Sequence, residues 1–231
     1  MKEINEELLK QQLDEIFSHD VIEWTKPRMQ QFSTLMAYYR CAMMEIETKL
    51  NVLNEEFSLR FDRNPINSIK SRLKSVPSIR AKLYKYNADF SAESIEQNLS
   101  DVAGVRVICA FPEDVYTLAN ALLKQDDIGL VEQKDYIKNP KPNGYRSLHL
   151  IVTVPIFLAH EKRLMKVEIQ LRTIAMDVWA SLEHQLRYKK DHIFDDQMAK
   201  ELLHCANLSA ELDNRMDALR ALVLEDDLMK K

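Results

Sequence analysis

The sequence predicts an α+β domain, a mixed β-sheet flanked by long N- and C-terminal helices. Three observations carry this. From Phe32, the residues Leu35, Tyr39, Met43, Ile46, Leu50, Leu53 and Phe57 step by three or four, one continuous helical stripe. Within the stretch from Lys166 to Arg172, Val167, Ile169 and Leu171 alternate with Lys166, Glu168, Gln170 and Arg172, the period of a strand with one apolar and one polar face. In a final helix over 196–224, Leu202, Cys205, Ser209, Leu212, Met216, Leu219 and Val223 form a narrow seam suited to pairing with another helix, including one from a second subunit.

Taken in order, residues 4–17 read as a short amphipathic helix. A second begins near Thr25, with Pro27 in its first turn where a missing N–H costs little. Pro65 breaks it. Ile66 to Lys74 reads as a strand, and Ser78 caps a short helix carrying Arg80, Lys82 and Lys85. A helix from Ser91 to Leu99 precedes Asp101 and the strand from Val105 to Phe111. Residues 112–125 are helical, with Glu113 and Asp114 in the first turn complementing the dipole. Strands follow at Ile128 to Ile137, Tyr145 to Val154 and Arg163 to Leu171. Thr173 caps a helix whose buried face is Ala175, Val178, Trp179, Leu182 and Leu186, with Glu183 and Arg187 paired one turn apart outside it. No repeat, low-complexity tract or linker interrupts the chain, so a single domain is expected over 1–231. Its core lies at about 60–190, with helices 4–59 and 196–224 as packing and oligomerisation extensions.

Composition narrows the function. A net charge of −4, with 46% hydrophobic and 29% charged residues, is that of an ordinary globular chain and not of a whole-molecule polyanion binder. Cys41, Cys109 and Cys205 stand far apart, outside any zinc spacing, and read as reduced thiols. The N-terminal run MKEINEELLKQQLDEIF lacks a signal-peptide core, and the longest uncharged apolar stretch, Leu148 to Ala159, falls short of the ~20 residues of a spanning helix, so a cytoplasmic location is expected. Only three glycines exist, Gly104, Gly129 and Gly144, which excludes a Walker A loop and a dinucleotide fingerprint. There is no GxSxG elbow, and His19-Asp20 lacks the further ligands of a metal-dependent hydrolase.

Phosphates, if bound, must therefore be held by side chains. Between Arg60 and Lys85 eight basic residues face one acid, Asp62, which suits either a solvated face or a polyphosphate site. Arg106, inside an apolar strand, must meet a ligand, a carboxylate or solvent. Two acids at strand-associated positions, Asp101 and Glu168, suit Mg²⁺, which keeps waters and bridges to substrate phosphates. The stretch from Lys141 to His149 adds two cations, a ring and an imidazole at a turn marked by Pro142 and Gly144. There Tyr145 and His149 share one strand face.

Four stretches carry a resemblance: SRLKSVPSIRAK, DVAGVRVIC, KPNGYRSLH and EIQLRTIAMDVWASLEHQL, spanning about 70 to 190. In these the chain resembles the synthetase domain of the RelA/SpoT homologue family, specifically its stand-alone small alarmone synthetases. The resemblance implies a nucleotidyltransferase-like synthetase fold without the hydrolase domain. The implied activity is transfer of the β,γ-pyrophosphate of ATP to the 3′-hydroxyl of GTP or GDP, giving (p)ppGpp and AMP. It assigns Asp101 and Glu168 to Mg²⁺, with Glu168 also placed to orient or deprotonate the 3′-hydroxyl. It gives Arg72 and Arg106 the adenine sandwich and Lys74, Ser78 and Lys82 the ATP phosphates. By the same resemblance, guanine would stack on Tyr145, while Lys141 and His149 would meet the acceptor's phosphates and Gln170 and Arg172 would be weaker members of the site. A homotetramer built through the terminal helices is implied as well. In one branch of the family product activates the enzyme, but Ser68, Lys70 and Asp177 depart from that branch's pattern. Two alternatives stay open at this point: a related pyrophosphotransferase acting on adenine nucleotides or the tRNA 3′ end, and a non-catalytic nucleotide or RNA binder.

Overall fold

The computed structural model describes residues 19–61, 64–188 and 195–229. Its elements run α1 (His19–Phe61), β1 (Ile66–Leu73), α2 (Val76–Lys85), α3 (Ala92–Asn98), β2 (Ala103–Cys109), α4 (Pro112–Leu123), β3 (Gly129–Asp135), β4 (Leu148–Phe157), β5 (Lys162–Thr173), α5 (Ile174–Tyr188) and α6 (Asp196–Met229). The helix expected over 4–17 falls outside the described residues. So does the side chain of Arg187, leaving its expected pairing with Glu183 outside as well.

The chain divides into two compact units. One holds the described residues up to Tyr38 together with Ser75–Leu99; the other holds Tyr39–Lys74 and everything from Ser100 onward. In the first, α2 and α3 pack through Ile79, Leu83, Ile95 and Leu99, each at most 1% exposed. Phe32 and Phe90 form a tilted ring pair there, with the Arg80 guanidinium over Phe90.

The second unit is built on one five-stranded sheet in the order β1-β2-β5-β4-β3. β2 and β5 run parallel at its centre, and the other three pairings are antiparallel. The mixed α+β class holds. Val105, Val107, Leu150, Val152, Val167, Ile169 and Leu171 are buried on one face, as the alternation requires. In the stripe along α1, Leu35, Tyr39, Met43, Ile46, Leu50 and Leu53 are all buried. No described helix is long and apolar enough to cross a membrane.

Several local expectations are corrected. α1 already runs from His19, so Pro27 lies inside it and not in its first turn, and His19-Asp20 is helical. Ser75, not Ser78, is the N-cap of α2; Pro77 needs a position in the first turn, which moves the helix start upstream, and the two serine hydroxyls bond each other at 2.8 Å. β4 begins at Leu148 instead of Tyr145, because the turn extends through Ser147. On α5 the buried face is Met176, Trp179 and Ala180, whereas Val178, Leu182 and Leu186 are all more than half exposed. The seam of α6 behaves likewise: the helix docks through Ala206 and Asp213 and leaves Leu212, Met216, Leu219 and Val223 exposed. Both departures have one cause. Apolar periodicity alone does not say which neighbour a stripe meets, and the residues that dock are Met176, Trp179 and Ala180 on α5 and Ala206 and Asp213 on α6.

Candidate active site

The polar face of the sheet is organised by register. One row across it reads Lys70, Arg106, Gln170, His149 and Lys134; the next reads Arg72, Gly104, Glu168, Ile151 and Glu132. Directly paired residues point to the same side, so the sequence-expected Arg72, Arg106, His149, Glu168 and Gln170 share one surface.

Glu168, at the middle of β5, is its centre. His149 Nδ1 lies 3.3 Å from Glu168 Oε1, and the Gln170 amide donates to Oε2 at 3.0 Å. Burial pushes this carboxyl up, but the His149 hydrogen bond and charge together with the Gln170 bond outweigh burial and the repulsion of Asp101, holding it below its ordinary value. Glu168 is thus a carboxylate at neutral pH. Asp101, just before β2, accepts from Lys74 Nζ at 2.8 Å. Lys74, an expected phosphate ligand, lies against an expected metal ligand.

The residues expected to hold the acceptor grow out of the turn. Gly144 takes φ +88°, where a side chain is strained, and its N–H donates to the Lys141 carbonyl at 2.8 Å. Asn143 Oδ1 accepts from the Tyr145 N–H at 3.2 Å, and its amide donates to Glu183 on α5. Arg146 donates to the Ala206 carbonyl at 3.1 Å, tying the turn to α6. Tyr145 packs against the buried cluster of Trp179, Ala180 and Ala206, as does Leu202. Its phenol lies 2.8 Å from His149 Nε2 and accepts from Arg172. Lys141 Nζ sits 4.9 Å above the Tyr145 ring and 4.6 Å above that of Tyr136. A continuous chain, Arg172 to Tyr145 to His149 to Glu168, therefore joins the Tyr145 ring to the central carboxylate.

A cavity of about 210 Å³ opens beside it, lined by Glu132, Lys134, Tyr136, Lys141, His149, Ile151 and Glu168. Sequence reasoning missed Tyr136, which meets His149 edge-on at 5.3 Å. Its signal was available: two residues beyond Lys134 on β3, it continues the face that carries Lys134.

The residues expected to hold the donor are more dispersed. Arg72 is exposed and Arg106 half-buried, diagonal neighbours on β1 and β2. Burial, then repulsion from Arg172, lower the Arg106 pKa, while Asp177 opposes this. Asp177 meets Arg106 at 3.4 Å, so the guanidinium inside the apolar strand faces a carboxylate. Arg172, 5% exposed, reaches Asp177, Gln170, Tyr145 and Ser147 together, a more central position than a peripheral site member would take. Ser78 and Lys82 belong to the first unit, one turn apart on one side of α2. The Cys109 thiol, pushed up to about 12 by burial, has no nucleophilic role.

A family model described as a region found in RelA / SpoT proteins matches residues 71–193. The chain belongs to that family. It is 40% identical over 191 residues to GTP pyrophosphokinase YwaC of Bacillus subtilis (strain 168), covering 83% of this chain and 91% of that protein. The crystal structure of small alarmone synthetase 2 from Bacillus subtilis matches with a TM-score of 0.75 at 39% identity, covering 82% of this chain and 98% of that one. Small alarmone synthetase 1 from the same organism, bound to its product pppGpp, matches with a TM-score of 0.76 at 32% identity, over 84% and 98%. This family member spans nearly the whole length of those relatives.

Proposed function

We propose that this protein is a (p)ppGpp synthetase, transferring the β,γ-pyrophosphate of ATP to the 3′-hydroxyl of GTP or GDP and releasing AMP, without hydrolase activity. The observation that carries it is the bonded chain from Arg172 through Tyr145 and His149 to Glu168. It sets a ring suited to stacking a base beside an ionised carboxylate, as an acceptor nucleotide with a reacting hydroxyl requires. Relatives named GTP pyrophosphokinase, and one solved with pppGpp, support the same reading.

In this reading guanine stacks on Tyr145 and the acceptor's phosphates meet Lys141 and His149. Arg72 and Arg106 sandwich adenine, and Lys74, Ser78 and Lys82 take the ATP phosphates. The 3′-oxygen attacks the β-phosphorus in line, the bond from that phosphorus to the α-phosphate oxygen breaks, and AMP leaves. Glu168 holds the 3′-hydroxyl and receives its proton. Its lowered pKa makes orientation the larger part of that role, since a weak base gains little by early proton abstraction.

Asp101 and Glu168 fit Mg²⁺ by the chemistry of the donor set: two hard carboxylates, close enough for their charges to repel. Bound there, Mg²⁺ would neutralise charge on the phosphates in transfer. The exposed apolar rows of α5 and α6 support a homotetramer through the terminal helices. A cytoplasmic location goes with nucleotide substrates.

The test is incubation with labelled ATP and Mg²⁺, offering GTP, GDP, GMP or ATP as acceptor. Labelled guanosine tetra- or pentaphosphate with stoichiometric AMP is expected. No transfer to any acceptor defeats the proposal, and transfer to the adenine nucleotide alone replaces it with a different pyrophosphotransferase.

A further inference from the structure

Two guanidiniums meet at one oxygen on the polar face of the sheet. Asp177 Oδ1 lies 3.4 Å from Arg106 Nη1 and 3.2 Å from Arg172 Nη1. These arginines stand on neighbouring parallel strands, and with like charge they repel each other. Burial raises the stakes: Arg172 is 5% exposed, and the buried Nε of Arg106 has no hydrogen-bond partner. Asp177 provides the shared counter-charge.

The two arginines do different things. Arg106 faces the donor side, beside Arg72. Arg172 donates to the Tyr145 phenol and, through it, continues to His149 and Glu168. We infer that Asp177 is a positioning residue that couples the two nucleotide subsites: its one carboxylate oxygen sets the donor-side Arg106 and, through Arg172, the acceptor-side Tyr145. The inference rests on the synthetase reading and goes beyond it, since that reading gives Asp177 no role and its contacts are with Arg106 and Arg172. Asp177 also lies in the first turn of α5, where any acid complements the helix dipole. A purely structural role of that kind predicts loss of stability without a change in either subsite.

The test is steady-state synthesis by Asp177→Asn, Asp177→Glu, Tyr145→Phe and the double variant Asp177→Asn/Tyr145→Phe, with thermal melts alongside. Asp177→Asn removes the charge at nearly constant shape, and KM for both ATP and the guanine nucleotide is expected to rise about tenfold or more. Asp177→Glu, keeping the charge but displacing it by one methylene, is expected between wild type and Asp177→Asn. In the Tyr145→Phe background, Asp177→Asn should add much less to the acceptor KM, because the phenol that carries the coupling is gone. Unchanged KM values in Asp177→Asn overturn the inference. So does the same fold-increase in acceptor KM with or without the phenol. If Asp177→Asn does not fold, Asp177→Glu decides: raised KM for both nucleotides supports the coupling and wild-type values overturn it. A wild-type protein that makes no product overturns the synthetase reading itself, which an active wild type with an indifferent Asp177 does not.

Discussion

Gly144 lies so close to Ala206 that a Cβ built on the glycine would come within 2.4 Å of the alanine methyl. The turn that carries Tyr145 is thus pressed against the terminal helix, at a residue whose φ of +88° also excludes ordinary side chains. Gly144→Ala is expected to destabilise by about 2–4 kcal/mol, adding left-handed backbone strain to overpacking. Ala206→Gly costs about 1 kcal/mol by itself in a helix. Combined with Gly144→Ala it should cost less than the sum, since the methyl contact vanishes and only the backbone strain and a close approach to Leu203 remain. Denaturant unfolding of the four proteins measures this; strict additivity would mean that the turn does not bear on α6.

Glu168 and Tyr145 separate chemistry from binding. Glu168→Gln keeps the shape but removes the charge that meets His149, and kcat is expected to fall at least about a hundredfold, roughly 3 kcal/mol of barrier. Tyr145→Ala removes the ring under Lys141 and the contact with Trp179 and Ala206. Loss of base stacking, about 1–3 kcal/mol, should appear mainly in the acceptor KM. Initial rates, with circular dichroism to verify the fold, check both: a near-normal kcat in Glu168→Gln, or an unchanged acceptor KM in Tyr145→Ala, rejects the assigned role.

Much of this was legible in the sequence, for a reason visible in β5. A strand buried on one face writes its alternation into the chain, so Val167, Ile169 and Leu171 announce the core and Glu168, Gln170 and Arg172 announce the site. The partners of that polar face were not legible. Register decides that Arg106 stands beside Gln170 and His149 beside it on the other side, and register follows from long-range pairing that no local pattern contains. Helix docking was hidden for a related reason. α6 packs through Ala206, Asp213 and Arg220, small or polar residues that periodicity discounts, where Thr173 donates to Asp213 and Arg220 meets Glu113. The apolar seam was read correctly as a stripe, and nothing local says that its own subunit leaves it uncovered.

Asp213 offers a pH-dependent check on that docking. Burial raises its carboxyl pKa, and the Thr173 hydroxyl bond offsets this only in part. A carboxyl with a raised folded pKa binds protons more tightly in the folded state, so its contribution is fully present below the unfolded value and is lost as pH rises through the folded value. Asp213→Asn keeps an oxygen to accept from Thr173 and removes the titration. Stability should stay within about 1 kcal/mol of wild type at neutral pH, and the decline as pH rises from the ordinary aspartate value of 3.8 should flatten. Melting curves across that range decide it; an unchanged pH profile in Asp213→Asn would show that this carboxyl does not titrate differently on folding.

The exposed rows of α5 and α6 lead to the last prediction. Ile174, Val178, Leu182 and Leu186 recur every four residues on α5 at 45–55% exposure, and Leu212, Met216, Leu219 and Val223 continue the pattern on α6 at 48–61%. None of these is buried against the rest of the described chain, which α6 meets through Leu202, Ala206, Asp213 and Arg220. Charge introduced on the seam should therefore break association and spare the subunit fold. Leu212→Glu with Met216→Glu is expected to convert a tetramer into smaller species by light scattering at micromolar concentration. Helical content should be retained, and the melting temperature of the wild type alone should rise with protein concentration, because only an assembling chain gains stability by mass action. A wild type that scatters as a monomer, or a double variant that remains a tetramer, would remove these rows from the interface.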